Sequence, residues 1–258
     1  MLRQFIDSIP ISGVLITTVL LVLIATEIGF RIGLIRSRRP DFQSEDHASS
    51  MTGAHLGLLA FILAFTFSMA AGHFDARKRV ILEESNAIET AYLRTGLVTG
   101  PEATRLRGLL QDYADLRSRI AADSDPVKLV RESEEMHSKM WREVQAITAT
   151  QPLTVMHSLL TQSINAVFEV HNNRVSAGLR NRIPPSIWVA LYSVLVLSML
   201  GMGYQFGIKG SRSPIPSAAL ALSFSMILYL IADLDRPTAG LVVPDQTALK
   251  EMSKRLAN

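Results

Sequence analysis

The chain has 258 residues, 48% of them hydrophobic and only 19% charged, against roughly 25% charged in soluble domains. It holds no cysteine, which excludes disulfides, thiolate catalysis and zinc–thiolate sites. Its net charge of +3 comes with no zinc-finger or basic–aromatic motif. Membrane proteins carry extra Lys and Arg beside their spans, so no nucleic-acid partner is expected.

The charge deficit is concentrated in four windows that reach the roughly 20 apolar residues a bilayer-spanning helix needs. The first runs from about Ile9 to Phe30, with Glu27 near its end. It is too long for a signal-peptide core and no small-residue cleavage site follows it, so it reads as a retained span. The second runs from about Thr52 to Gly72 and contains His55 but no Asp, Glu, Lys or Arg. The third and fourth run from about Ser186 to Ile208 and from about Ile215 to Ala232. Inside lipid a backbone must satisfy its own hydrogen bonds, so all four are read as helices.

The second span is dense in small residues. Gly53, Gly57, Ala60 and Ala64 share one face at three- and four-residue spacing. Small faces let membrane helices approach closely, which marks this span for the crowded interior of an assembly or for close packing within the chain. Basic residues near the span ends lean toward a cytoplasmic central domain, with both termini on the same side.

Between spans two and three the sequence reads as helical throughout. The second span continues out of the membrane to about Val98, where Gly96 and Gly100-Pro101 end it. A stripe of Leu106, Leu109, Leu110, Tyr113, Leu116 and Ile120 follows at helical spacing. Asp125 and Pro126 suit the cap and first position of the next helix, and Thr150 with Pro152 open another. Pro184-Pro185 stop the chain before span three. No strand alternation and no repeat is visible. The fold class is therefore all-α: four transmembrane helices with an extramembrane helical bundle between the second and third. The expected division is residues 1–73 for spans one and two, 74–184 for the bundle, 185–234 for spans three and four, and 235–258 for a tail with a short helix.

The sequence holds no nucleophile elbow, P-loop, zinc-protease or dinucleotide motif, so no enzyme activity, cofactor, catalytic residue or metal site is expected. His55 suits either a hydrogen bond to a neighbouring helix or a polar ring in a conduction path. Glu27 is close enough to its span end to snorkel. Glu83, Glu84 and Glu89 follow the basic run Arg77-Lys78-Arg79 and read as a solvated face, with Arg79 and Glu83 spaced to pair; Asn86 and Thr90 share a face with Glu83, so a buried polar contact between helices is the alternative. Asp233 and Asp235, ahead of a Pro–Gly turn, suit either an ion clasp or salt bridges to nearby basic residues.

Three stretches together resemble the bestrophin family. The run Leu56-Gly57-Leu58-Leu59-Ala60-Phe61-Ile62-Leu63-Ala64-Phe65, leading into His73-Phe74-Asp75-Ala76-Arg77-Lys78 and Glu84-Ser85-Asn86, is similar to the second bestrophin helix. Arg180-Asn181-Arg182-Ile183-Pro184-Pro185 resembles the entry to its third span, and Asp233-Leu234-Asp235-Arg236-Pro237 with Gly240-Leu241 and Pro244 resembles the segment after its last. The likeness is nearest to the bacterial bestrophin-like membrane proteins. It implies a homopentameric channel in a cell membrane, the bacterial inner membrane, with self, lipid and small inorganic ions as partners. It implies a central pore lined by the second helix, usually anion-selective. The aromatic pair expected after that helix and the acidic run that completes the calcium clasp of animal bestrophins are both absent here.

On that likeness, Leu58, Ile62, Phe65 and Met69 are expected to form an apolar neck that gates by dewetting, with His55, Arg77, Lys78 and Arg79 at the pore mouths. The reading from another class is a membrane-anchored interaction or sensor protein without a pore.

Overall fold

A computed structural model describes residues 10–39, 46–119, 125–150, 154–212, 214–236 and 241–257. Among them every regular element is helical: α1 (Ile11–Ser37), α2 (Asp46–Thr95), α3 (Pro101–Ser118), α4 (Pro126–Thr150), α5 (Val155–Val175) with a π-helical turn (Ser176–Arg180), α6 (Pro185–Ile208), α7 (Pro214–Asp235) and α8 (Thr247–Ala257). Four stretches are long and apolar enough to cross a membrane, those of α1, α2, α6 and α7. The two longest of these stretches are Ser49–Thr95 and Val155–Ile208.

Local signals fix the helix ends. No proline interrupts the 50 residues of α2. Gly100, at φ +109°, turns the chain where a side chain would be strained, and Pro101 then opens α3. Asp125 Oδ1 accepts the N–H groups of Val127 and Lys128, both at 3.1 Å, and so caps α4. Ile120, Pro152 and Leu153, expected in or beside these helices, lie outside the described residues. The π-helical turn closes through the Asn181 N–H donating to the Ser176 carbonyl at 2.9 Å. No sequence pattern announced it.

The chain divides into two compact units, residues 1–73 with 182–242, and residues 74–181 with 243–258. In the first unit α1 packs on α6 and α7. Its contact with α6 is a glycine seam. A Cβ built on Gly29 or Gly33 of α1 would lie 2.1 Å from the Leu200 or Tyr204 carbonyl oxygen of α6. One built on Gly203 or Gly207 of α6 would lie 2.0 or 2.2 Å from the Thr26 or Phe30 carbonyl oxygen of α1. Both helices therefore carry G-x-x-x-G, and their backbones touch where only hydrogen fits. Thr18 and the Tyr192 hydroxyl add a hydrogen bond of 2.9 Å across the same pair.

The second unit is a helical bundle around Ile88, Leu106, Leu110, Met140, Ile147, Leu160 and Ile164, all essentially inaccessible to solvent. Helix α8 packs on α3. Its Leu249, Met252 and Leu256, at helical spacing, close the core. The tail expected as a separate segment thus supplies part of the bundle, because its short amphipathic helix has an apolar face to bury.

Candidate functional site

Helix α2 presents three distinct faces between residues 52 and 72. At about 100° per residue, Thr52, Leu59, Leu63, Thr66 and Ala70 form one stripe, and all five are buried. Thr52 meets α6 there, its hydroxyl 3.0 Å from where a Gly201 Cβ would lie. The small stripe of Gly53, Gly57, Ala60 and Ala64 lies roughly 110–120° away. All four are exposed, and a Cβ on Gly53 or Gly57 would meet nothing within 4 Å. The large apolar stripe of Leu58, Ile62, Phe65 and Met69 lies about as far round the other way. Leu58 and Phe65 are exposed, whereas Ile62 and Met69 are half-buried.

The position most nearly opposite the buried stripe is Phe61. It is 70% exposed, the most exposed aromatic side chain on the helix. Sequence reasoning passed over it because register alone does not reveal how a helix is rotated; the buried stripe does.

The other expected site residues are scattered. His55 is half-buried, and its Nδ1–H donates to the Met51 carbonyl of its own helix at 2.8 Å. Lys78 and Arg79 are exposed, but Arg77 is buried at 5%. Glu27 pairs with Arg31 at 2.8 Å and with Arg212 at 3.4 Å on an exposed surface.

Asp233 and Asp235 are both buried, and the protein itself occupies them. Asp233 accepts the Leu241 and Val242 N–H groups at 2.8 and 3.0 Å. Asp235 accepts the Ile183 N–H and the Arg182 Nε–H, each at 2.9 Å. The two carboxylates therefore staple the chain before α6 and the chain after α7 to the end of α7. Among the described residues no group of three or more His, Asp or Glu converges as a metal site.

One buried charge cluster escaped the sequence. Glu84 is fully buried rather than part of the solvated face on which Glu83 remains. Its carboxylate accepts Arg117 Nε–H at 2.6 Å and bonds Arg174. Arg117 also donates to Ser133 Oγ at 3.1 Å, and Arg174 to Gln246 Oε1 at 2.9 Å. Burial works against the charged carboxylate, but the two guanidiniums outweigh it and hold Glu84 below the ordinary carboxylate range. One side chain on α2 thereby ties α3, α4, α5 and the residue before α8 into one network.

A family model described as a bestrophin-like domain matches residues 18–243. No curated protein matches the chain. Among solved structures, a crystal structure of a mutant bacterial bestrophin homologue from Klebsiella pneumoniae is similar at a TM-score of 0.66 and 14% identity, over 96% of this chain and 99% of that one. A second crystal structure, of a membrane protein, gives a TM-score of 0.64 at 15% identity, over 95% and 97% of the two chains. At these identities the likeness is one of fold, and the family model, which takes in most of α1, the other three spans and the bundle between them, carries the assignment: the chain belongs to the bestrophin-like family.

Proposed function

We propose that this chain is one subunit of an oligomeric ion channel, anion-conducting, with a pore lined by α2. The observation that carries the proposal is the three-faced second span. A helix in a closed ring turns one face outward to its own subunit, two sideways to neighbours and one inward to the axis. The buried stripe of α2 is the outward face. The small stripe supplies one flank, and Leu58, Ile62 and Met69 supply the other. Large side chains of one copy then seat on the glycines and alanines of the next, which allows close helix approach in lipid. Phe61 and Phe65 remain for the axis.

Of the expected neck, Phe65 keeps its place, Phe61 joins it, and Leu58, Ile62 and Met69 move to the subunit contact. Two rings of phenylalanine make an apolar constriction. An ion entering it gives up hydration that the walls do not replace, so the neck closes by dewetting and opens by widening. Lys78 and Arg79, exposed beyond the end of the span, raise the local concentration of anions at that mouth. The anion preference accords with the family, whose characterised members are anion channels, and the pentamer is the assembly its likeness implies. The buried acids Asp233 and Asp235 act as staples in this reading. The central bundle and both termini are cytoplasmic, following the count of basic residues beside the spans.

Reconstitution into a planar bilayer tests the proposal. Phe61→Ala and Phe65→Ala each raise conductance by widening the constriction, whereas Leu58→Ala acts on oligomer stability. A stable monomer that passes no ions at any voltage supports instead the membrane-anchored interaction protein. Unchanged conductance in both phenylalanine variants removes the neck assignment.

A further inference from the structure

On the second unit, His137, Ser138, Trp141 and Arg142 share one face of α4 at three- and four-residue spacing. With Phe168 of α5 they line an open groove of about 530 Å³, within the size range of small-molecule sites. Three rings form its wall. The Phe168 ring lies against His137, with centroids 4.3 Å apart and planes at 34°, and meets Trp141 at 6.4 Å and 61°. Trp141 and Phe168 pack one side on the bundle core and stay half-buried, so part of each ring is open to solvent. A tryptophan and a phenylalanine left open side by side on an extramembrane surface mark a contact site.

The groove carries one charge, that of Arg142. The side chain is exposed, and among the described residues nothing hydrogen-bonds or pairs with its guanidinium. Burial first, and then the Arg117 guanidinium, hold His137 down to about 4, so its ring is neutral near pH 7. Ser138 Oγ–H donates to the Glu134 carbonyl at 3.1 Å. The Trp141 indole N–H has no acceptor among the described residues. Arg142 also borders a neighbouring groove against α3, where Arg105 already holds Glu143 at 3.0 Å, and it pairs with neither Glu143 nor Asp112 there.

We propose that the groove between α4 and α5 binds a small aromatic carboxylate, its ring laid against Trp141 and Phe168 and its carboxylate on Arg142. A guanidinium presents two parallel N–H groups that match a carboxylate bidentately. One cation balances one carboxylate, whereas a phosphate monoester brings nearly two negative charges and calls for more. The rings supply contact area by offset or edge-to-face stacking, and the indole N–H offers a further donor. A neutral aromatic leaves Arg142 without a partner, and a ring-free anion leaves the wall bare, so the two features together set the class.

The test uses the full chain in mild detergent, dialysed to equilibrium against indole-3-acetate, with chain-free micelles as the blank for partition into detergent. Wild type is expected to retain it saturably, at about one per chain. Indole-3-acetamide keeps the rings and loses the charge, and acetate keeps the charge and loses the rings. Each is expected to compete at least about tenfold more weakly. Arg142 is exposed and unpaired, so Arg142→Gln folds as wild type does; it is expected to bind indole-3-acetate at least about tenfold more weakly, and no better than it binds the acetamide. The proposal is overturned if wild type retains no indole-3-acetate above the micelle blank, if either analogue competes equally, or if Arg142→Gln binds as wild type does. No current is measured, so this result stands apart from the pore.

Discussion

Replacing Gly203 by alanine tests how closely the first and third spans must approach. The added Cβ would lie 2.0 Å from the Thr26 carbonyl oxygen, and the next nearest atom is the Phe30 backbone nitrogen at 2.9 Å. Ordinary contact to such an atom needs roughly 3.4 Å, and backbone on a packed helix cannot rotate aside as a side chain does. The helices must therefore part by more than about 1 Å, a gap that forfeits up to about half of the dispersion energy of each atom pair along the seam. Overpacking of this kind costs about 1–3 kcal/mol. The seam repeats at Gly29, Gly33 and Gly207, so the upper half of that range is expected. A loss of about 2–3 kcal/mol lowers the unfolding midpoint of a chain this size by roughly 4–12 °C, read by thermal denaturation in mild detergent. Gly108→Ala is the control, since a Cβ there meets nothing within 4 Å. It is expected to hold or slightly raise the midpoint, because alanine favours helix. Equal midpoints for the two variants would refute the backbone seam.

Glu84→Ala leaves Arg117 and Arg174 buried without their shared carboxylate, and should cost about 3–5 kcal/mol, seen as loss of the bundle in chemical denaturation; a cost below about 1 kcal/mol contradicts the network. Acid weakens the same bundle. Unfolded histidine takes up a proton near 6.5, whereas burial makes His137 and His171 resist until about 4 and 3. The unfolded chain then binds more protons across that window, so stability falls as pH drops from about 6.5 toward 4. Glu84, held low in the fold, adds a loss in the same direction as pH falls below its ordinary value of 4.5. A denaturation midpoint that is flat or rises between pH 7 and pH 4 runs against this. Asp235→Ala strips the acceptor from the Ile183 N–H and from Arg182, at about 1–3 kcal/mol; limited proteolysis should then cut near the start of α6, and an uncut chain argues against the staple.

The spans were legible because some 20 apolar residues without charge have few other uses. The long α2 was legible from about Thr52 onward because nothing through Thr95 breaks a helix, whereas its start at Asp46 was not. Long-range partners were not. Glu84 sits in a run with Glu83 and Glu89 that looks uniformly solvated, and its arginines are 33 and 90 residues away. Asp233 and Asp235 find backbone N–H groups as acceptors, and backbone donors leave no residue signature. The glycine seam does have a signal, glycines four apart in two apolar spans. It stands beside the longer small-residue run of α2, whose glycines face open space instead. Helix rotation decided the rest: a stripe of apolar residues is visible in sequence, but Phe61 comes to the fore only once the buried stripe is known.

The pore claim is tested most directly by thiol accessibility, since the chain has no cysteine of its own and one introduced thiol reports alone. Phe65→Cys is reconstituted beside Ile28→Cys, an exposed position on α1, and each is treated with a charged, membrane-impermeant thiol reagent during current recording. The expected result is block of the Phe65→Cys current and none for Ile28→Cys. A Phe65→Cys current that the reagent leaves untouched would place α2 away from the path of the ions.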